Sequence, residues 1–200
     1  MNKIIIGITG ASGSVYAVRL IEELCSHGKE LHLIFSETGT EVFRYETGIS
    51  PEEFIGKLNT PINKPTLHSN TDIFAPPASG SFIADAMVIV PCSMATLGSI
   101  ANGSLRSLLG RSADVCFKER RKIIIVPRET PFSRIHLKNM LELTDAGAVI
   151  LPAMPAFYNH PETVNDIVDF TVARILDQLN VENSMIKRWN GQEPCDHSSF

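Results

Sequence analysis

Five short runs of β-branched and apolar residues recur along the chain: IIIGI (4–8), LHLIF (31–35), MVIV (87–90), IIIV (123–126) and AVIL (148–151). Each is nearly continuous in hydrophobicity rather than alternating, the pattern of a strand buried on both faces. The intervening segments are of helical length, and two of them carry a clear helical period. VYAVRLIEEL (15–24) puts Val15, Val18, Leu20, Ile21 and Leu24 mostly on one face, with Gly28 behind it as a stop. PETVNDIVDFTVARILDQL (161–179) opens on Pro161 and repeats Val164, Ile167, Val168, Val172, Ile175 and Leu179 at helical spacing. This alternation predicts an α/β fold, a doubly wound parallel sheet of Rossmann or flavodoxin-like type.

The chain of 200 residues is long enough for one substantial core, so a single domain over 1–190 is expected, with 191–200 a disordered tail. The stretch 59–80 lacks periodicity, holds Pro61, Pro65, Pro76 and Pro77, and reads as a long irregular connection. A net charge of -4 argues against a nucleic-acid-coating protein, which needs a basic surface to release counterions, so any anion site must be built locally. The N-terminus breaks at Gly7, short of a signal peptide, and no apolar run approaches the roughly 20 residues of a membrane span. A cytoplasmic protein is expected. Cys25, Cys92, Cys116 and Cys195 show no C-x-x-C spacing and the six histidines no H-E-x-x-H pair, so no metal site is expected and the thiols read as reduced.

Ligands of open parallel sheets bind beyond the carboxyl ends of the strands, which makes the residues following each strand the ones to inspect. After the first strand, Thr9 to Ser14 combine glycines with a helix start, a site suited to phosphate or to a plain serine-capped turn. The second strand ends on Ser36. After the third come Pro91, Cys92, Ser93, Met94, Ala95 and Thr96, small and hydroxylic residues that let a flat ligand approach the backbone; Cys92 reads as a buried structural thiol. The fourth strand closes on Arg128 and Glu129, where an arginine can grip phosphate and a glutamate can move a proton, or both can be solvated loop charges. Tyr158 follows the fifth strand, Arg174 lies on the last helix, and Lys118, Arg120 and Arg121 form a basic cluster ahead of the fourth strand.

GITGASG (7–13), PCSMATL (91–97), RSADVCFKERR (111–121), VPRETPF (126–132), HLKNML (136–141), GAVILPAMPAFY (147–158) and DFTVARILD (169–177), in this order, resemble the UbiX/Pad-type flavin prenyltransferases. The resemblance implies a Rossmann-like subunit that binds FMN and joins the dimethylallyl group of dimethylallyl phosphate to N5 and C6 of the reduced flavin, without a metal. The product, prenylated FMN, serves partner UbiD-type decarboxylases. It implies flavin contacts from Gly10, Ala11, Ser12, Ser36, Ser93, Met94, Ala95, Thr96 and Arg128. Lys118, Arg128, Tyr158 and Arg174 are implied to hold the prenyl phosphate, with Ser12, Glu46 and Glu129 as catalytic groups. Family sites form where subunits meet in a dodecamer, so neighbouring chains are implied to share each site. Ala95 departs from the lysine common in relatives and removes one positive charge near the flavin.

Two other functions fit part of the pattern. An FMN-dependent cysteine decarboxylase would share the fold, but it calls for a P-x-x-N-like turn where this chain has Pro91-Cys92-Ser93-Met94. A passive flavin carrier or decarboxylase subunit would have no reason to assemble Lys118, Arg128, Glu129, Tyr158 and Arg174.

Overall fold

The computed structural model describes residues 1–60, 64–104 and 106–189. Six strands, β1 (Lys3–Ile8), β2 (Glu30–Phe35), β3 (Thr66–His68), β4 (Ala86–Cys92), β5 (Lys122–Pro127) and β6 (Val149–Ile150), form one parallel sheet in the order 3-2-1-4-5-6. This is the Rossmann order. Its direction reverses between β1 and β4, where the crossovers leave on opposite sides and open a crevice at the carboxyl edge.

Side chains alternate across the pleat, and the two faces build two cores. Ile4, Ile6 and Ile8 point with Leu31, Leu33 and Val88 toward α1 (Ser14–Ser26) and α7 (Val164–Gln178), packing on Leu20, Leu24, Val172 and Leu176. Ile5, Ile34, Met87 and Ile89 face α4 (Met94–Ala101), α5 (Leu108–Lys118) and α6 (Arg134–Asp145), meeting Leu97, Leu109, Cys116 and Leu143. Each fully buried isoleucine contributes about 2 kcal/mol. The unbroken apolar strands of the sequence are therefore unbroken because both faces are covered.

Two expectations are corrected. The connection over 59–80 contains β3, whose Thr66, Leu67 and His68 pair in parallel with His32, Leu33 and Ile34. Three residues are too few to show a period between prolines. The last helix starts at Val164 rather than Pro161, because Thr163 and Asp166 form a reciprocal cap: the Thr163 hydroxyl accepts from the Asp166 amide at 3.2 Å and the Asp166 carboxylate accepts from the Thr163 amide at 2.7 Å. The tail expected over 191–200 lies outside the described residues. Among the described residues no helix is long and apolar enough to cross a membrane.

Candidate functional site

The crevice is pinned by Thr9, which is buried just past β1. Its hydroxyl donates to the Pro91 carbonyl at 2.8 Å and accepts from the Ser93 amide at 2.7 Å. One side chain thus ties the end of β1 to the end of β4 and fixes the turn from which Ser93 caps α4, accepting from the Thr96 amide at 3.3 Å.

The turn between β1 and α1 ends on Gly13 at φ 114°, in the left-handed region that glycine enters without strain. Gly13 gives α1 no side-chain cap, so the expected serine-capped turn is not what forms. Its place is taken by Glu46, whose carboxylate accepts from the Gly13 amide at 3.1 Å and the Ser14 amide at 2.7 Å. Glu46 arrives from α2 (Glu37–Thr47), which begins at Ser36 beyond β2 and ends beside the start of α1, so α2 lies across the strand ends. Gly39 permits that course, because a Cβ there would meet the Ile8 carbonyl oxygen at 2.5 Å. Burial pushes the Glu46 carboxyl up, but hydrogen bonds from the Ser12 side chain, the Ser14 backbone and side chain and the Gly13 backbone outweigh it and hold the group below the ordinary glutamate value. Glu46 is therefore ionised at neutral pH.

Arg128 closes the cluster from the other side, its Nε donating to the Ser12 carbonyl at 3.1 Å. Ser12, Glu46 and Arg128, from three remote segments, meet at the switch point. Glu129 follows Arg128, exposed, its carboxylate accepting from the Thr130 amide at 3.0 Å.

Next to this cluster is a cavity of about 360 Å³ bounded by Ser36, Asn70, Thr96, Ser99, Arg106 and Ser107. Hydroxyls at successive positions with one guanidinium suit a polyol phosphate, and Ile100 and Leu109 add apolar wall. A ribityl phosphate fits that donor set, and of the residues expected to touch the flavin, Ser36 and Thr96 line the cavity. The sequence reading missed Asn70, whose carbonyl and side-chain oxygens accept from the Leu108 and Leu109 amides at 2.8 and 3.0 Å and cap α5. It also missed Arg106, and it took Thr9 only as part of the glycine turn. A larger groove of about 580 Å³ between α1 and the α3 helix (Pro51–Lys57), walled by Val18, Cys25, Phe54 and Leu58, lies away from the strand ends and carries none of these groups.

Of the four residues implied for the prenyl phosphate, the chain brings Tyr158 and Arg174 near each other but holds Lys118 apart from Arg128. Lys118 ends α5 on the amino side of β5 and Arg128 follows β5 on the carboxyl side, roughly 17 Å away along the strand. Lys118 pairs with Glu119 at 2.6 Å. Arg174 sits ten residues into α7, about 15 Å below the helix start, in a groove of about 350 Å³ along β6 with Pro152, Met154 and Phe170. Tyr158 packs edge-on against Phe170 at 5.8 Å, one turn from Arg174. Cys92 is fully buried, and burial pushes its thiol up to about 12, which excludes a thiolate nucleophile.

Comparison with known proteins gives the chain its family. A family model described as Flavoprotein matches residues 1–176. A flavin prenyltransferase UbiX of Methanocaldococcus jannaschii is 50% identical over 187 residues, 94% of this chain and 98% of its own length. The crystal structure of AnUbiX (PadA1) in complex with FMN and dimethylallyl pyrophosphate superposes with a TM-score of 0.90 at 41% identity, covering 96% of this chain and 99% of that one. A dodecameric FMN-dependent UbiX-like decarboxylase from Escherichia coli O157:H7 superposes with a TM-score of 0.86 at 44% identity, covering 94% and 99%. With the Rossmann crevice, its hydroxyl-lined cavity and likeness over nearly the whole length, the chain belongs to the flavoprotein family and, within it, to the UbiX flavin prenyltransferases.

Proposed function

We propose that the protein transfers the dimethylallyl group of dimethylallyl phosphate to reduced FMN, making the prenylated flavin used by a UbiD-type decarboxylase. The observation that carries this reading is the meeting of Ser12, Glu46 and Arg128 at the switch point. A passive carrier needs no ionised carboxylate held against a hydroxyl beside a guanidinium.

FMN is assigned to the strand ends, with Gly10, Ala11, Ser12, Ser36, Ser93, Met94, Ala95, Thr96 and Arg128 around it and Arg106 by the polyol cavity. Bound and reduced, it supplies the electron-rich N5 and C6 atoms that take the prenyl group. The departing group is phosphate, so the residues' main task is to stabilise negative charge growing on the oxygen that breaks from the prenyl carbon. Lys118, Arg128 and Arg174 supply positive charge and Tyr158 a hydroxyl. Glu46 receives a proton through Ser12, and Glu129 serves as a second acceptor. Apolar walls such as Met154 and Phe170 keep water from the allylic carbon.

Lys118 and Arg128 lie at opposite edges of one sheet, so we assign each site to more than one chain of a homo-oligomer, a dodecamer as in the Escherichia coli relative. We place the enzyme in the cytoplasm, where the buried thiols of Cys25, Cys92 and Cys116 stay reduced. The test is anaerobic incubation with reduced FMN and dimethylallyl phosphate, followed by mass spectrometry of the extracted flavin. A gain of one dimethylallyl unit is expected, and Glu129→Gln retains FMN while losing most of the transfer. Bound but unmodified FMN under these conditions overturns the assigned reaction.

A further inference from the structure

The last helix carries a carboxylate to which neither the fold nor the proposed chemistry gives a task. Asp177 stands three residues after Arg174, and its side chain is only 19% exposed. Its Oδ2 accepts from Arg174 Nη1 at 2.8 Å and from Arg188 Nη1 at 2.9 Å, and its Oδ1 accepts from Arg188 Nη2 at 2.6 Å and Asn183 Nδ2 at 3.2 Å. Arg188 is thus held by a two-point fork, the geometry that fixes a guanidinium in orientation as well as position. Arg174 is held by one of its five N–H groups, and its side chain stays 47% exposed.

The residue after Arg188 is Trp189, whose ring meets Tyr158 edge-on at 5.9 Å, and Tyr158 meets Phe170 on α7 at 5.8 Å. The contacts close a ring: Asp177 to Arg188, on through the chain to Trp189, across to Tyr158, then Phe170 and back along α7. Two guanidiniums share one carboxylate, so the group keeps a surplus positive charge on the side where Arg174 is open. The hydrogen bond of Arg188 holds the Asp177 carboxyl below the ordinary aspartate value against the cost of burial, with Asn183 and the charges of Arg188 and Arg174 adding to it. The carboxylate therefore stays charged.

We infer that Asp177 is a positioning residue for the prenyl-phosphate end of the site: it aims Arg174 and ties the segment bearing Trp189 down beside Tyr158. It touches neither substrate nor flavin and acts only through Arg174 and Arg188. The inference rests on the proposed function in one respect, that the anion met by Arg174 and Tyr158 is the prenyl phosphate.

Trp189 is the single tryptophan of the chain and reports on the segment directly. The experiment compares the full-length oligomer with Asp177→Asn, which keeps the size and removes the charge, and with Arg188→Gln, which cuts the same tie from the other end and serves should Asp177→Asn fail to fold. In both, Trp189 emission shifts to the red and acrylamide quenches it more strongly. The dissociation constant for dimethylallyl phosphate, read from Trp189 emission, rises about ten-fold, the order expected when a binding group is displaced. FMN affinity holds in both, and Asp177→Glu recovers part of the loss. Unchanged emission and unchanged prenyl-phosphate affinity in a folded variant overturn the inference, as does a parallel loss of FMN affinity, which marks a general loosening of the fold. A wild-type protein that makes no prenylated flavin removes the proposed reaction, yet the emission and affinity measurements still decide the role of Asp177.

Discussion

At Glu46 a side chain from one helix completes another. The carboxylate takes two backbone donors at the start of α1 that Gly13 cannot satisfy, so Glu46→Gln is expected to cost about 1 kcal/mol of stability, the scale of a lost helix cap. Transfer falls further, by roughly 10² to 10⁴-fold, because the acceptor for the proton is gone. The folded carboxyl lies below its ordinary value of 4.5. Its stabilising effect is therefore complete above that value and lost as the pH falls through the folded one, so the difference in Tm between wild type and Glu46→Gln shrinks on acidification. Cys92 gives the opposite test: with its thiol near 12 and no exposed surface, it resists iodoacetamide at neutral pH and reacts after unfolding in urea, as peptide mass spectrometry will register. Ser12 and Arg128 could be found in the sequence because they lie in the loops that leave the carboxyl ends of strands. Glu46 could not be found that way: it ends a helix lying across the strand ends, and periodicity says nothing about a helix's course. Only family likeness pointed to it. Thr9 was hidden for a different reason, since a threonine beside a glycine turn looks like turn chemistry until its two partners on β4 are seen.

Among the elements, the long strands and the two amphipathic helices were readable because burial on both faces, or on one stripe, leaves a repeating signature. β3 was not, and its hold on the sheet shows why. Besides three residues of backbone pairing, it is tied by His68 to His32 at 2.8 Å, with His32 in turn bonded to Glu30 at 3.0 Å and Glu30 to Lys3 at 3.0 Å. If His32 donates to Glu30 from Nε2, its Nδ1 accepts from His68 Nε2. Burial, and then the neighbouring His32, lower His68 below its ordinary 6.5 against the pull of Asp72. The stability that comes from keeping His68 uncharged is thus fully present above 6.5 and lost as the pH falls through the folded value, because the unfolded chain takes up the proton first. Hydrogen exchange at Thr66–His68 is expected to accelerate between neutral pH and pH 5, after correction for the intrinsic rate, while β1 and β4 stay protected. His68→Gln removes that pH dependence. Phe82, edge-on to His32 at 4.8 Å and under the Lys3 ammonium at 4.6 Å, is the packing partner whose environment changes with it.

Over the molecule as a whole, the sheet both makes the site and divides it. The parallel order delivers Ser12, Ser36, Ser93 and Arg128 to one edge, and the rule that ligands sit beyond strand ends was enough to choose that edge from sequence. Lys118 was out of reach of any such rule, since a residue before a strand belongs to the far edge of its own sheet, and the proposed site takes it from a neighbouring subunit. That placement has a genetic signature. Lys118→Ala and Arg128→Ala are each expected to abolish transfer in pure form. Dissociated, mixed in equal amounts and reassembled, the two dead proteins are expected to regain activity, because about one site in four then draws an intact lysine from one parent and an intact arginine from the other. Sites contained within single chains would gain nothing from the mixing. A cell carrying both alleles would make active enzyme that neither allele could make alone.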